Sequence, residues 1–368
     1  MKKYDLLVIG NGFDLNLGYC TSYSDYCKDL IANHQPIQNK LTYFFYHALD
    51  YGYMDDNNWT SFEKVLCQYL EFLNYLFTSQ NIDFDYEVVD RGLSNAFVPS
   101  LTINDINKMP TYCLKILDIS NPLDKILEYY WFDSNDKKHY MDCRLSSLPR
   151  IGSKLYLRVA RFFPKIPSKN DVRDFLIETI NKYLEDTEKN LSLYIRRSTS
   201  SPKNLSSFIK DNIGDEVDYL VTFNYSKTAE DLFQLTPIDV AYVHGNVDGE
   251  IVLGIEENMI ENQAISEESP FFIFFKRARR FIKRCNESFS LKILNNINPE
   301  TRIAIFGHSL DKSDKSIFQL LFTKDFKTCD IYYFGEEKSY RAKLISLVGL
   351  NTVNKLSNSG KLKFTKIT

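Results

Sequence analysis

The chain has 368 residues, with 45 Lys and Arg against 48 Asp and Glu and a formal charge of −3. That near-neutral balance gives no global reason to expect nucleic acid, although a local basic patch can still matter. Its 44% apolar content supports a sizeable core and excludes a disordered polymer, and the length suits one large domain or a core domain carrying an insertion. The cysteines (Cys20, Cys27, Cys67, Cys113, Cys143, Cys285 and Cys329) form no C-x-x-C pair, so neither a zinc knuckle nor a redox motif is indicated. Reduced thiols in a cytoplasm are the simplest reading. The apolar run after Asp5 is too short for a signal peptide, and no stretch approaches the roughly 18 apolar residues of a membrane span. A cytoplasmic protein with no membrane association is expected.

Leu6-Leu7-Val8-Ile9 has no helical period and no polar interruption, the pattern of a strand buried on both faces. Gly10-Asn11-Gly12 ends it with a tight turn whose N–H groups, aimed outward ahead of a helix, suit a phosphate. The match to G-x-G-x-x-G is incomplete, because position 15 is Leu and the next glycine is Gly18. A short helix over Ser24–Ala32 and another over about 40–49 follow. Thr60 and Glu63 are spaced as a capping box, ahead of Phe62, Val65, Leu66, Tyr69, Leu70, Leu73 and Phe77 at helical intervals. Residues 80 to 170 alternate polar joints with short apolar pieces and carry no clear pattern. Asn170 or Asp171 caps the clearest long helix, Val172 to about Arg197.

Strand patterns then return. Strands are expected at Asp218–Phe223, Val240–Val243, Ile251–Gly254, Arg302–Phe306 and Asp330–Phe334, with helices at Thr228–Leu235 and Ser313–Phe322. The alternation predicts an α/β fold with a doubly wound, mostly parallel sheet. Residues 1–34 plus 211–368 would form a nucleotide-binding core, and residues 35–210 a mostly helical insertion. Between the strands, Phe271–Arg284 packs six basic residues among aromatics. The preferred reading is an amphipathic helix that buries its aromatics and solvates its charges. The alternative is an anion surface at Lys276–Arg284 for nucleic acid or nucleotide phosphates.

Four of the strands end in loops with unusual polar residues: Asn11 and Asp14, Asn224, His244, and His308 with Ser309. In open parallel sheets ligands bind outside the carboxyl ends of the strands. Singly these are turn formers, caps or loop histidines. Converging, they make a candidate site.

Gly10-Asn11-Gly12-Phe13-Asp14-Leu15 with Gly18 and Thr21-Ser22-Tyr23 resembles the opening signature of the AbiH family of bacterial phage abortive-infection proteins. Thr222-Phe223-Asn224-Tyr225-Ser226 with Glu230, Val243-His244-Gly245, and Ile305–Leu310 with Asp314 resemble its later motifs, in order. The resemblance implies an antiphage role and offers Glu63, which follows Trp59, as a site carboxylate instead of a cap. More distantly, the same blocks resemble the sirtuin-like NAD hydrolases of bacterial defence, which implies a Rossmann-like sheet. By that resemblance Asn224 would hold the nicotinamide-side ribose and a water, and His244 would be the base. Gly10 and Gly12, with Asn11, Asp14 and Thr21 beside them, would cradle the phosphates, and Gly307, His308 and Ser309 would line the adenosine side. Two departures stand out: Asn11, Phe13 and Asp14 replace the small residues of the sirtuin turn, and Ser226 stands where those hydrolases carry Asp. No four-cysteine zinc module is present, which argues against a protein deacetylase.

Three functions fit these residues. The first is an NAD glycohydrolase, whose cationic leaving group needs an ordered water and a base but no strong acid. The second is a nucleotide-binding sensor without turnover that signals to a partner. The third is a metal-dependent nuclease toxin using Asp14, Glu63 and Asp314, disfavoured because no acidic pair sits at metal-ligand spacing. No resident metal is expected; a phage-derived trigger and a homo-oligomer are left open.

Overall fold

The computed structural model describes residues 2–32, 169–256, 265–283 and 292–367, with Glu63, Leu66, Cys67, Leu70 and Asn74 from the segment between. The expected helix at 40–49, the Thr60 half of the capping box, the residues between 80 and 168, and with them most of the anticipated insertion, lie outside the described residues.

In chain order the described elements are β1 (Leu6–Ile9), α1 (Gly12–Asn16), α2 (Tyr23–Ala32), α3 (Lys169–Ser198), α4 (Ser207–Asn212), β2 (Tyr219–Thr222), α5 (Thr228–Leu232), β3 (Val240–Tyr242), α6 (Lys276–Ile282), β4 (Arg302–Phe306), α7 (Lys315–Thr323), β5 (Thr328–Tyr333), α8 (Glu337–Val348), α9 (Leu350–Asn358) and β6 (Leu362–Lys366). The strands form one parallel sheet in the order β3-β2-β1-β4-β5-β6. This is the Rossmann arrangement, in which the order reverses between β1 and β4 and a crevice opens at their carboxyl ends.

The register explains why β1 reads as continuously apolar. Leu6 lies level with Tyr219 and Ile303, and Val8 with Val221 and Ile305. Leu6 and Val8 face a core completed by Phe318 and Leu321 of α7, Leu344 of α8 and Val353 of α9. Leu7 and Ile9 face the opposite core, with Phe13 of α1, Ile209 of α4 and Ala229 of α5. Each such side chain withdrawn from water contributes about 1.5–3 kcal/mol, so a strand covered on both faces tolerates no polar residue.

The expected strands are all present except one. Ile251–Gly254 is buried but irregular: Ile251 makes a single antiparallel bridge with Gly245. Its amides are satisfied elsewhere, Val252 N–H by the His244 carbonyl (2.9 Å) and Leu253 N–H by Glu188 (2.8 Å). The helix expected to Leu235 stops at Leu232, with Gln234 at φ 53 turning the chain back. The long helix begins at Lys169, which puts Asn170 and Asp171 in its first turn and not at its cap. No helix among the described residues is long and apolar enough to cross a membrane.

Two glycines let the β1 and β4 loops touch. A Cβ on Gly12 would lie 2.6 Å from the Gly307 carbonyl oxygen, and one on Gly307, itself at φ +63, would lie 2.6 Å from the Gly12 carbonyl carbon. Gly12→Ala is therefore expected to lower stability by about 1–3 kcal/mol in chemical denaturation. Gly249→Ala, where the nearest atom is 3.8 Å away, should be neutral; equal midpoints for the two variants would contradict the packing described.

Candidate functional site

At the carboxyl edge of the sheet lies a cleft of about 930 Å³. All of the sequence-predicted site residues line it: Gly10, Asn11, Gly12, Asp14 and Thr21 after β1, Asn224 after β2, His244 after β3, and Gly307, His308 and Ser309 after β4. Glu63, Ser226, Lys276, Asp314 and Lys343 line it too.

The glycine turn is braced from within. Gly10 N–H donates to Phe306 O (3.1 Å), Gly12 N–H to Gly307 O (2.9 Å), and Phe13 N–H to Gly10 O (3.0 Å). The Gly10 and Gly12 amides join the two loops, the Phe13 amide closes the turn, and none of the three is free to point outward. Thr21 donates its hydroxyl to Asn11 Oδ1 at 2.7 Å, and Asn11 Nδ2 has no partner among the described residues.

Asp14 is 1% exposed, and its Oδ2 accepts a hydrogen bond from the Ser226 hydroxyl at 2.5 Å. Burial pushes its pKa up to about 6, against the pull of Ser226, Thr228 and Asn224, which favour the anion. Thr228 and Asn224 stand beside the carboxyl without closing a hydrogen bond of normal geometry. Asn224 is itself buried, its backbone N–H held by Thr222 Oγ1 (3.0 Å), while its side-chain oxygen and nitrogen lack partners among the described residues.

The other wall is a buried charge cluster. The Asp314 carboxylate bridges two imidazoles, His244 Nε2 at 2.8 Å and His308 Nε2 at 3.2 Å. His308 Nδ1 accepts from Leu310 N–H (2.9 Å), so its Nε2 carries the proton given to Asp314. Phe223 lies against both rings, with centroids 5.7 Å from His244 and 4.4 Å from His308. Lys276, 2% exposed, pairs with Glu63 Oε1 at 2.6 Å and lies 3.6 Å from Asp314 Oδ1.

The electrostatics follow from burial and neighbours. Burial works to raise the Asp314 pKa, yet the Lys276 ammonium and His244 hold it well below the usual carboxylate range. Burial, with Lys276 adding to it, drops His244 to about 3, so the ring is neutral. Because Asp314 is ionised and only accepts, His244 donates from Nε2, and its Nδ1 faces the Arg280 guanidinium at 3.4 Å. Glu63 is pushed up to about 7 by burial, against the pull of Lys276. Burial alone would lower Lys276, but Glu63 and Asp314 hold it above its ordinary value.

The basic stretch thus reverses the expectation that its charges are solvated. Lys276, Arg279 and Arg280 are buried, while Phe281 and Ile282 are 85% and 63% exposed. Arg279 Nη2 lies 3.0 Å from both carboxylate oxygens of Glu188 of α3, and Lys283 joins it at 2.6 Å. The cations turn inward because buried carboxylates need them, and an unpaired buried charge costs more than an exposed aromatic. Arg277 alone among the described cations of this stretch is largely exposed, and it pairs with Glu267. The alternative of a nucleic-acid surface would therefore have to form without Lys276, Arg279 and Arg280.

Sequence reasoning ranked Lys276, Glu63 and Asp314 below the strand-end residues. Asp314 was legible only beside Ile305–Leu310, and nothing local marks Lys276 as the cation of the site. Among the described residues no group of His, Cys, Asp or Glu is arranged to hold a metal ion, and two of the three carboxylates considered for one are tied to Lys276.

No curated protein and no solved structure matches the chain. The family model for bacteriophage abortive infection AbiH matches residues 6–334, from the first residue of β1 to just past β5. With the glycine turn, the Asn224 and His244 loops and the Gly307 loop all inside the matched span, the chain belongs to the AbiH family and has a role in phage abortive infection.

Proposed function

We propose that this protein binds a nucleotide across the crevice at the carboxyl ends of β1, β2, β3 and β4, and that it hydrolyses the N-glycosidic bond of NAD. The observation that carries the reading is Asn224: a buried carboxamide of the cleft lining whose donor and acceptor have no partner among the described residues. A buried polar group of this kind is costly unless something completes it, and a ribose hydroxyl or an ordered water does so. The cleft lies within the usual range for small-molecule sites, about 300–1,000 Å³. Lys343, 3.1 Å from the Ser309 carbonyl, supplies a cation on the Gly307–Ser309 side, where the adenosine half would lie.

In this reading Asn224 orients the water towards the ribosyl C1′. His244, neutral and fixed by Asp314, forms the wall beside the ribose. The bond to nicotinamide breaks with its electron pair leaving on the ring nitrogen, which cancels the pyridinium charge, so no strong acid is needed. A histidine with so low a proton affinity is a poor base. That observation favours a second reading of the same site, a nucleotide sensor without turnover.

Incubation of the purified protein with NAD and detection of free nicotinamide separates the two. Release is expected from the parent. Asn224→Ala and His244→Ala should each stay folded and reduce it by about a hundredfold or more. NAD binding without nicotinamide release would favour the sensor, and divalent-metal-dependent cutting of nucleic acid would replace both readings with the nuclease.

A further inference from the structure

Resting on the NAD reading, we propose that Asp14 is the proton acceptor of this site, taking its proton from the water or hydroxyl that Asn224 holds. Two side chains facing one cleft carry the proposal. Asp14 has one oxygen anchored by the Ser226 hydroxyl at 2.5 Å, while the other has no partner among the described residues. Asn224 beside it has both amide atoms in the same condition. Together they place one donor and two acceptors, each closed to bulk solvent, beside the cleft, the set needed to hold a single water in one orientation with its proton aimed at a carboxylate.

His244 lacks that geometry. Its Nε2 proton is given to Asp314, and its Nδ1 lone pair faces Arg280 at 3.4 Å. A proton arriving there would meet a guanidinium. Among the described residues nothing comparable faces Asp14: its neighbours are the neutral Ser226, Thr228 and Asn224 from the stretch after β2, and the Tyr19 phenol from the turn after α1. With its pKa raised to about 6 by burial, the Asp14 carboxyl is ionised at pH 7 yet basic enough to take a proton. The step balances: the water oxygen bonds to C1′, the C1′–N bond breaks with its pair going to nicotinamide, and the water proton passes to Asp14 Oδ1.

The test is NAD hydrolysis across pH by the parent, Asp14→Asn and Ser226→Ala, with far-UV circular dichroism and ADP-ribose binding measured on each. The parent rate should fall on the acid side near pH 6. Asp14→Asn should stay folded and bind ADP-ribose but lose about a hundredfold or more in kcat. Ser226→Ala should keep turnover with its acid limb moved to higher pH, because the anion loses a donor; a purely structural role for Asp14 would leave that limb in place. A parent that releases no nicotinamide overturns the NAD reading and this assignment with it. Full turnover by Asp14→Asn, or an unmoved limb in Ser226→Ala, overturns this assignment alone. Should Asp14→Asn fail to fold, the Ser226→Ala limb decides.

Discussion

Replacement of Lys276 by Met should destabilise the protein by about 3–5 kcal/mol, the usual cost of removing one partner from a buried ion pair. Lys276 is 2% exposed and is the cation between Glu63 and Asp314. Without it two buried carboxylates lose their common counter-charge, and methionine fills the volume but supplies no proton. Because burial already lifts Glu63 to about 7, the variant should recover part of its stability in acid by protonating that group. Glu63→Gln in the Lys276→Met background should restore part of it at pH 8 as well. Urea titrations at pH 5.5 and pH 8 check this; coincident curves for parent and Lys276→Met would show that the cluster carries no net stability.

Asp14→Asn should stabilise the protein above pH 7 while impairing its activity. The folded-state pKa of Asp14 is about 6 against an ordinary 3.8, so between those values the folded protein binds the proton and the unfolded chain does not. Stability from this group is thus fully present below about pH 4 and is lost as pH rises through 6. Two units correspond to on the order of 3 kcal/mol above pH 7, which the neutral amide avoids. The side chain is 1% exposed, so solvent screening removes little of that difference. Denaturant midpoints for the two proteins should diverge between pH 5 and pH 8 and converge in acid. An unchanged gap across that range would mean the buried carboxyl is not strained by its charge.

The four strand ends were legible because a parallel sheet covered on both faces leaves a local mark. Leu6–Ile9 and Arg302–Phe306 are apolar throughout or nearly so, and the polar residues that follow them at their carboxyl ends line the crevice. The last strand was not legible. Leu362–Lys366 is an edge strand, half-exposed and studded with Lys363 and Lys366, so its pattern is too polar to stand out from the surface around it. The helices α8 and α9 went unread along with it.

Local periodicity reports which face of an element is apolar, but it is blind to what lies opposite. It therefore placed Asn11, Asn224, His244 and His308 at one edge of the fold, where strand order alone brings them together. It misjudged the Lys276–Ile282 helix, because the partners that bury those cations, Glu63, Glu188 and Asp314, come from distant parts of the chain. Ser226 read as the loss of a carboxylate; in the folded protein its hydroxyl donates to Asp14, 212 positions earlier in the chain. Ion pairing and hydrogen bonding depend on distances of a few ångströms between residues far apart in sequence, and only the folded sheet and the helices laid over it set those distances.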